Sequence, residues 1–322
     1  MTVINSVLGP LDTADLGFTL SHEHVLETSA GLQQVYPEFI DRDRGIRKGV
    51  EALKEAYEAG VRTIVDVTTF DLGRDVKLLE QVSRESKIHI ICSTGIWLDI
   101  PRAFWYATPD MIAPLFIKEI EDGIEDTGIR AGIIKVATDV GGITAPGEIV
   151  LRAASKAQRA TGVPISTHAW ALERAGEAQI RVFQEEGVDL NRVYIGHSND
   201  STDLDYLLKL LESGVWVGLD RLPAGHRQGT PDWETRTIVV KQLIDAGFGH
   251  RIMLSHDWQV TLWVSTNEML ESRRKYNPDG YNFISRRVLP RLTQLGVSDD
   301  LIYQIMVENP RRFFEGGGIV NL

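Results

Sequence analysis

Ser21-His22-Glu23-His24 places two histidines two residues apart, after an apolar, strand-like run from Leu16 to Leu20. Residues i and i+2 of a strand share a face, so His22 and His24 point the same way. Neutral imidazole is the commonest metal ligand. Alone, a His-x-His pair is a weak signal. Four further strand-like runs end in a group able to complete a metal site: Lys135 in Gly-Ile-Ile-Lys-Val-Ala, His168 after Thr167, His197 after Gly196, and Asp257 after Ser255-His256. A single strand-end histidine is more often a hydrogen-bonded structural residue than a ligand. Six such groups on one rim are harder to dismiss, because burying that many polar side chains without a purpose costs several kcal/mol.

Lys135 poses its own problem. An ammonium flanked by Ile133, Ile134 and Val136 is expensive unless it is paired or neutral. It can form a buried ion pair with Asp257 or Asp220. It can form a Schiff base, which would make the protein a lyase or aldolase. Or the neutral amine can react with CO₂, giving a carbamate whose carboxylate can bridge two metals. Four surrounding histidines favour the last reading. A barrel that binds a ligand or protein without catalysis is the remaining alternative.

The elements that must position these groups alternate along the chain. Strand candidates are Phe18–His22, which is read as the first element, then Thr63–Val67, His89–Ser93, Gly132–Ala137, Pro164–His168, Val193–His197, Val215–Leu219 and Arg251–Ser255. Amphipathic helical stretches separate them. Several end on a glycine before a β-branched residue, as at Gly60-Val61, Gly162-Val163, Gly187-Val188 and Gly214-Val215, the expected helix stop. A last helix, Asp299–Glu308, is expected to stop at Asn309-Pro310. Alternating strand and helix means parallel pairing with right-handed crossovers. Eight such units close into a (β/α)₈ barrel, here read as a single domain over residues 1–322. An open doubly wound sheet is the rival fold. Against it, no G-x-G-x-x-G follows the first strand, and polar groups end many strands rather than one switch point. Barrel active sites lie at the C-terminal ends of the strands, where the six candidate groups stand.

Composition narrows the function. The chain has 322 residues, 43% hydrophobic and 25% charged, ample for a large core. A formal net charge of -11 without a basic stripe argues against nucleic acid. No apolar run approaches the roughly 20 residues needed to span a bilayer, and Met1–Asp15 lacks a signal-peptide pattern. A cytoplasmic location is the expectation. The sole cysteine, Cys92, excludes an intrachain disulfide and a Cys-based zinc site, and reads as a small buried hydrophobe.

Long loops follow three strands: Trp97–Thr108, Arg221–Asp232, and Trp258–Asp279 with a helical piece expected at Val264–Lys275. Loops of this length in a barrel shape a substrate site. Leu98, Ile100, Phe104, Trp105, Tyr106, Leu262 and Trp263 gather near those strand ends, as the lining of an apolar cleft or as a homodimer contact.

Taken together, Thr19-Leu20-Ser21-His22-Glu23-His24, Ala131-Gly132-Ile133-Ile134-Lys135, Thr167-His168, Ile195-Gly196-His197-Ser198, Gly218-Leu219-Asp220 and Leu254-Ser255-His256-Asp257-Trp258 resemble the phosphotriesterase family of the amidohydrolase superfamily, which includes phosphotriesterase-like lactonases. The resemblance extends to Gly60–Asp66 and to Glu308-Asn309-Pro310-Arg311-Arg312-Phe313. It implies a binuclear-metal hydrolase with two divalent ions per subunit, zinc first and cobalt, manganese or iron as alternatives. By match of motif, His22, His24 and Asp257 hold the buried metal, and His168 and His197 the exposed one. Carboxylated Lys135 and a hydroxide bridge them. Asp257 is the proton acceptor. The implied substrates are small phosphotriesters, lactones or carboxylic esters, and a homodimer is implied too.

Substrate signals conflict. Arg221 follows Asp220 where phosphotriesterases proper resemble one another in carrying His and lactonase-like members carry Arg, with Asp200 as its partner. Trp97 matches an aromatic wall of the phosphotriesterase leaving-group pocket, where lactonase-like members more often show Tyr. The short loop after strand eight leans toward phosphotriesterases, and the strand-seven loop is shorter than theirs. The expected substrate-binding set is Trp97, Leu98, Arg221, Trp258, Leu262 and Trp263, with Asp257, Arg221 and Asp200 as catalytic residues.

Overall fold

A computed structural model describes residues 2–224, 228–262 and 267–316. The eight expected barrel strands are all present. They are β3 (Thr19–Glu27), β4 (Thr63–Asp66), β5 (His89–Gly95), β6 (Ile133–Thr138), β7 (Ile165–Ala169), β8 (Val193–Ile195), β9 (Trp216–Leu219) and β10 (Ile252–Leu254). Each pairs in parallel with its sequence neighbour from β3 through to β10. A further parallel strand, β11 (Gln259–Leu262), lies along the other edge of β3. The chain between β10 and β11 closes the ring: Asp257 N donates to His22 O at 3.1 Å and His24 N to Trp258 O at 3.0 Å. The protein is a (β/α)₈ barrel.

Glu23 fixes that closure. It is fully buried, and its two carboxylate oxygens accept from Ser255 Oγ, His256 N, His256 Nδ1 and Trp258 N at 2.6 to 3.0 Å. His256 Nε2 accepts from Ile284 N at 3.1 Å. His256 is therefore occupied on both ring nitrogens and serves the fold.

The helices follow local chemistry. Asp75, Thr144, Asp203 and Asp232 accept from backbone N–H groups of the first turns they precede. Gly60, Gly162, Gly187 and Gly214 all have positive φ, as helix-ending glycines should. Cys92 is buried, and desolvation pushes its thiol up to about 12, so it behaves as a hydrophobe.

Two expectations change. The first element is a hairpin, β1 (Val3–Ser6) with β2 (Gly9–Asp12), rather than the histidine strand. Its strands are too short and polar for a periodicity signal. They are held by long-range bonds such as Val7 N to Ile90 O at 2.9 Å and Asn5 Nδ2 to Ala131 O at 3.0 Å. The last helix does not stop at Asn309-Pro310. Helix continues through a π-turn, Gln304–Glu308, into Asn309–Glu315, where Pro310 sits in the first turn and breaks no bond the helix needs. Asn309, fully buried, donates from Nδ2 to Gly249 O and Ile252 O at 2.8 and 2.7 Å, anchoring that helix to the barrel. The helix after β11 is described from Asn267 to Tyr276; residues 264–266 of the expected piece lie outside the described residues.

Candidate metal centre

All six candidate groups line one cavity of about 190 Å³ at the C-terminal ends of the strands: His22, His24, Lys135, His168, His197 and Asp257. Trp97 and Arg221 complete much of its wall. The strand pattern explains the convergence. His22 and His24 stand two apart on β3, Lys135 on β6, and His168 near the end of β7. His197 and Asp257 lie just past β8 and β10, and both adopt the left-handed backbone, with φ of 59° and 53°. Non-glycine residues in that region store strain, a feature concentrated at functional sites.

The distances within the cluster are short. Lys135 Nζ lies 3.0 Å from His22 Nε2. Asp257 Oδ1 lies 3.6 Å from His22 Nε2 and 3.4 Å from His24 Nε2. The His168 and His197 rings meet edge to face, centroids 4.4 Å apart. Lys135 is not ion-paired as one reading expected: among the described residues no carboxylate oxygen stands within 4.0 Å of its Nζ. Burial brings its amine down to about 8, against the opposing pull of Asp257 and Asp220.

Asp220 is the residue that sequence reasoning undervalued. It is fully buried at the end of β9. Its Oδ1 accepts from His197 N and Nδ1 at 2.7 and 2.9 Å; Oδ2 accepts from the Tyr194 hydroxyl at 2.8 Å and lies 3.0 Å from His22 Nδ1. One carboxylate thus orients two imidazoles and leaves their Nε2 atoms for the cavity, the outer-shell arrangement that tunes metal ligands. The sequence marked it as an acid in Gly218-Leu219-Asp220 and as a possible partner of Lys135, with nothing to say that it would orient two histidines. His24 is oriented in the same manner by Thr68 Oγ1 at 2.8 Å and Glu27 at 3.4 Å.

Close strand packing makes this possible. A Cβ on Gly218 would overlap the Tyr194 ring. Gly218→Ala should therefore displace Tyr194 from Asp220 and cost about 1–3 kcal/mol, the usual range for overpacking. Urea unfolding measures it; an unchanged midpoint would show that the ring has room to move.

Arg221 joins two carboxylates, its Nε 3.0 Å from Asp257 Oδ2 and its Nη1 2.5 Å from Asp200 Oδ2. Asp200 also meets Arg236 at 2.8 Å, so Asp257, Arg221, Asp200 and Arg236 form one ionic chain. Trp97 Nε1 donates to His168 Nδ1 at 3.3 Å. Trp258 lines a second cavity of about 350 Å³, which shares Glu27, Arg221, Asp257 and Gln259 with the first. Leu98 is half-buried and lines neither cavity. Leu262 ends β11, and Trp263 lies outside the described residues. Among the apolar loop residues, Trp105 and Tyr106 are 52% and 77% exposed, whereas Ile100 and Phe104 pack on the core.

The donor set fits divalent cations. His22, His24 and Asp257 offer three ligand atoms within 4.8 Å of one another. His168 Nε2 is buried, with Asp139 Oδ2 3.5 Å away. Burial brings His168 down to about 4 and holds His197 well below its usual range, so both imidazoles are neutral. Burial also opposes protonation of His24, yet Glu27, Asp257 and Asp66 raise it to about 9. These acids create a demand for positive charge where a cation would sit.

Residues 2–314 match the sequence profile of the phosphotriesterase family. The chain belongs to that family. It is thus a metal-dependent hydrolase. It is 40% identical over 329 residues to a phosphotriesterase homology protein of Mycobacterium tuberculosis, covering 99% of each chain. It is 37% identical over 313 residues to an aryldialkylphosphatase of Saccharolobus solfataricus, covering 94% and 96%. It is 33% identical over 263 residues to an N-acetyltaurine hydrolase of Dictyostelium discoideum, covering 79% and 69%. The solved structure of the phosphotriesterase from Mycobacterium tuberculosis superposes with a TM-score of 0.92 at 39% identity, covering 99% of this chain and all of that one. No helix among the described residues is long and apolar enough to cross a membrane.

Proposed function

We propose that this phosphotriesterase-family chain is a binuclear hydrolase of phosphotriester, lactone or carboxylic ester bonds. The observation that carries the reading is the convergence of four imidazoles, Lys135 and Asp257 on one cavity. His22, His24 and Asp257 would hold one divalent ion, zinc first, and His168 and His197 the other. Lys135, as its carbamate, would bridge them. When bound, two such ions supply Lewis acidity and lower the pKa of a bridging water.

The protein's own groups do the rest. The amine of Lys135, brought to about 8, is neutral in a usable fraction near pH 7–8, which carbamate formation requires. Asp257 is the nearest candidate to take the proton of the attacking water. Burial alone would raise its pKa; His197 and Arg221 outweigh that and hold it well below the carboxylate range. Arg221 cannot give up a proton, so the Asp257–Arg221–Asp200 chain holds Asp257 in place and does not conduct protons. Trp97 walls the cavity beside His168.

Elemental analysis of purified protein should find about two metals per chain. A screen of an aryl dialkyl phosphate, δ-lactones, acyl-homoserine lactones and aryl acetates should find turnover. Metal-free protein, or metal-replete protein inert on the whole screen, would overturn the reading.

Arg221 favours lactones among these substrates. Lactone opening leaves an alkoxide that needs a cation, whereas an aryl phosphotriester expels a stable phenolate that needs an aromatic wall. Arg221→His should shift the kcat/KM ratio toward aryl phosphotriesters. Trp97→Ala should harm aryl substrates more than aliphatic lactones. Equal losses in both classes would show that these residues serve only the fold or the metal ligands.

A further inference from the structure

The 350 Å³ cavity beside the metal centre contains a cation that the hydrolytic reading does not use. Arg273, on the helix after β11, is half-buried in its wall. Its guanidinium lies over the Trp258 ring, 4.8 Å from the centroid, and its Nη2 donates to the neutral amide oxygen of Gln259. Among the described side chains no carboxylate oxygen comes within 4.0 Å of it. Glu27 lines the same cavity, but its nearest cationic neighbour is His24, at 3.4 Å. Arg221, the other guanidinium in the wall, already pairs with Asp200 and Asp257.

Among the described residues this half-buried guanidinium has no paired counterion, which is costly. Burial lowers its affinity for its proton, and the more distant charges of Glu27 and Asp257 oppose that loss. The side chain is nonetheless held in place: Trp258 supports its plane, and Trp258 N is itself tied to Glu23 Oε2 at 3.0 Å. A planar fork fixed on an aromatic face suits a carboxylate or sulfonate. The two cavities share Glu27, Arg221, Asp257 and Gln259 in their walls, so the larger one adjoins the candidate metal centre.

Resting on the hydrolase reading above, we propose that the larger cavity binds an anionic end of the substrate through Arg273, so that the preferred substrates are esters, lactones or amides bearing a terminal carboxylate or sulfonate. A neutral trialkyl or aryl dialkyl phosphate leaves this site unused. The overall charge of -11 disfavours encounter with an anion, so selectivity has to come from this built contact rather than from long-range steering.

Two measurements test it. The first compares kcat/KM on acyl substrates carrying a terminal carboxylate or sulfonate, on the acyl or the leaving side, with their methyl ester or sulfonamide counterparts. At least one charged member should be preferred. Arg273→Gln should lower its kcat/KM about 10- to 100-fold, the scale of a charge-assisted hydrogen bond. The neutral counterparts should stay within a few-fold, and Arg273→Lys should recover part of the loss. The second is calorimetric titration of the full-length protein with propane-1-sulfonate, a poor metal ligand, read without turnover. Saturable binding that Arg273→Gln weakens about tenfold supports the site. Uniform preference for neutral substrates, equal losses on both classes, or sulfonate binding absent or indifferent to Arg273 overturns it. Sulfonate binding without turnover of any substrate would sink the hydrolase reading and leave the anion site standing. Turnover of neutral substrates without sulfonate binding would do the reverse.

Discussion

Lys135→Ala is expected to lose bound metal and activity together, and short carboxylates such as acetate or propionate, added with metal, are expected to restore part of both. The lysine is 1% exposed, 3.0 Å from His22 and, among the described residues, without a carboxylate partner. Nothing in its surroundings requires an ammonium. What the proposed site requires there is a bridging carboxylate, and removing the side chain leaves space for a small one to diffuse in. The fold should survive, because a buried lysine amine contributes little packing that alanine and solvent cannot replace and is itself costly to bury. Thermal unfolding checks that point. Metal content by elemental analysis, with and without propionate, decides the rest. Wild-type metal content in the variant, with no rescue by any carboxylate, would refute the carbamate. Borohydride trapping of a carbonyl substrate on Lys135 would support Schiff-base chemistry instead.

Asp257→Asn should lower kcat/KM by about 10²–10⁴, the usual scale for loss of a general base, and more if metal is lost as well. Its two oxygens do different things. Oδ1 faces His22 and His24, at 3.6 and 3.4 Å, and Oδ2 accepts from Arg221. The amide keeps the shape but loses the charge, so it can neither take a proton nor balance Arg221. Asp200, at 2.5 Å, remains to hold Arg221, so the arginine should stay in place and the fold with it. Kinetics on metal-replete variant separate base from ligand. Near-normal turnover in that sample would remove Asp257 from the proton-transfer step.

Much of the site was legible in the chain because its information is local. A strand has a two-residue period, so His22-Glu23-His24 already states which two side chains share a face. A β/α rhythm already states that polar strand ends meet at one mouth. The helix stops at Gly60, Gly162, Gly187 and Gly214 were readable for the same reason: easy access to positive φ is a property of glycine itself.

Other roles depend on residues far apart in sequence, and these only the tertiary structure decided. His197 and His256 look alike in the chain, each a histidine at a strand end. The first faces the cavity and is oriented by Asp220; the second is held by Glu23, 233 residues away, and closes the barrel. Lys135 could be read as paired with Asp257 or Asp220 until the barrel placed imidazoles around it and held both acids beyond ion-pairing distance. Asp220 became the hub of two histidines only because β8 and β9 lie side by side with Tyr194 beneath them. Arg273 was one basic residue among several on a helix, and became a cation in a cavity wall once Trp258 and Gln259 were folded against it. The hairpin Val3–Asp12 and the continued helix Asn309–Glu315 belong to the same class, since both are fixed by bonds to distant strands, through Val7 to Ile90 and Asn309 to Ile252. Periodicity and residue type thus determined which groups stand at the mouth of the barrel. Strand order, register and long-range hydrogen bonds determined which of them share a partner, and so what each can do there.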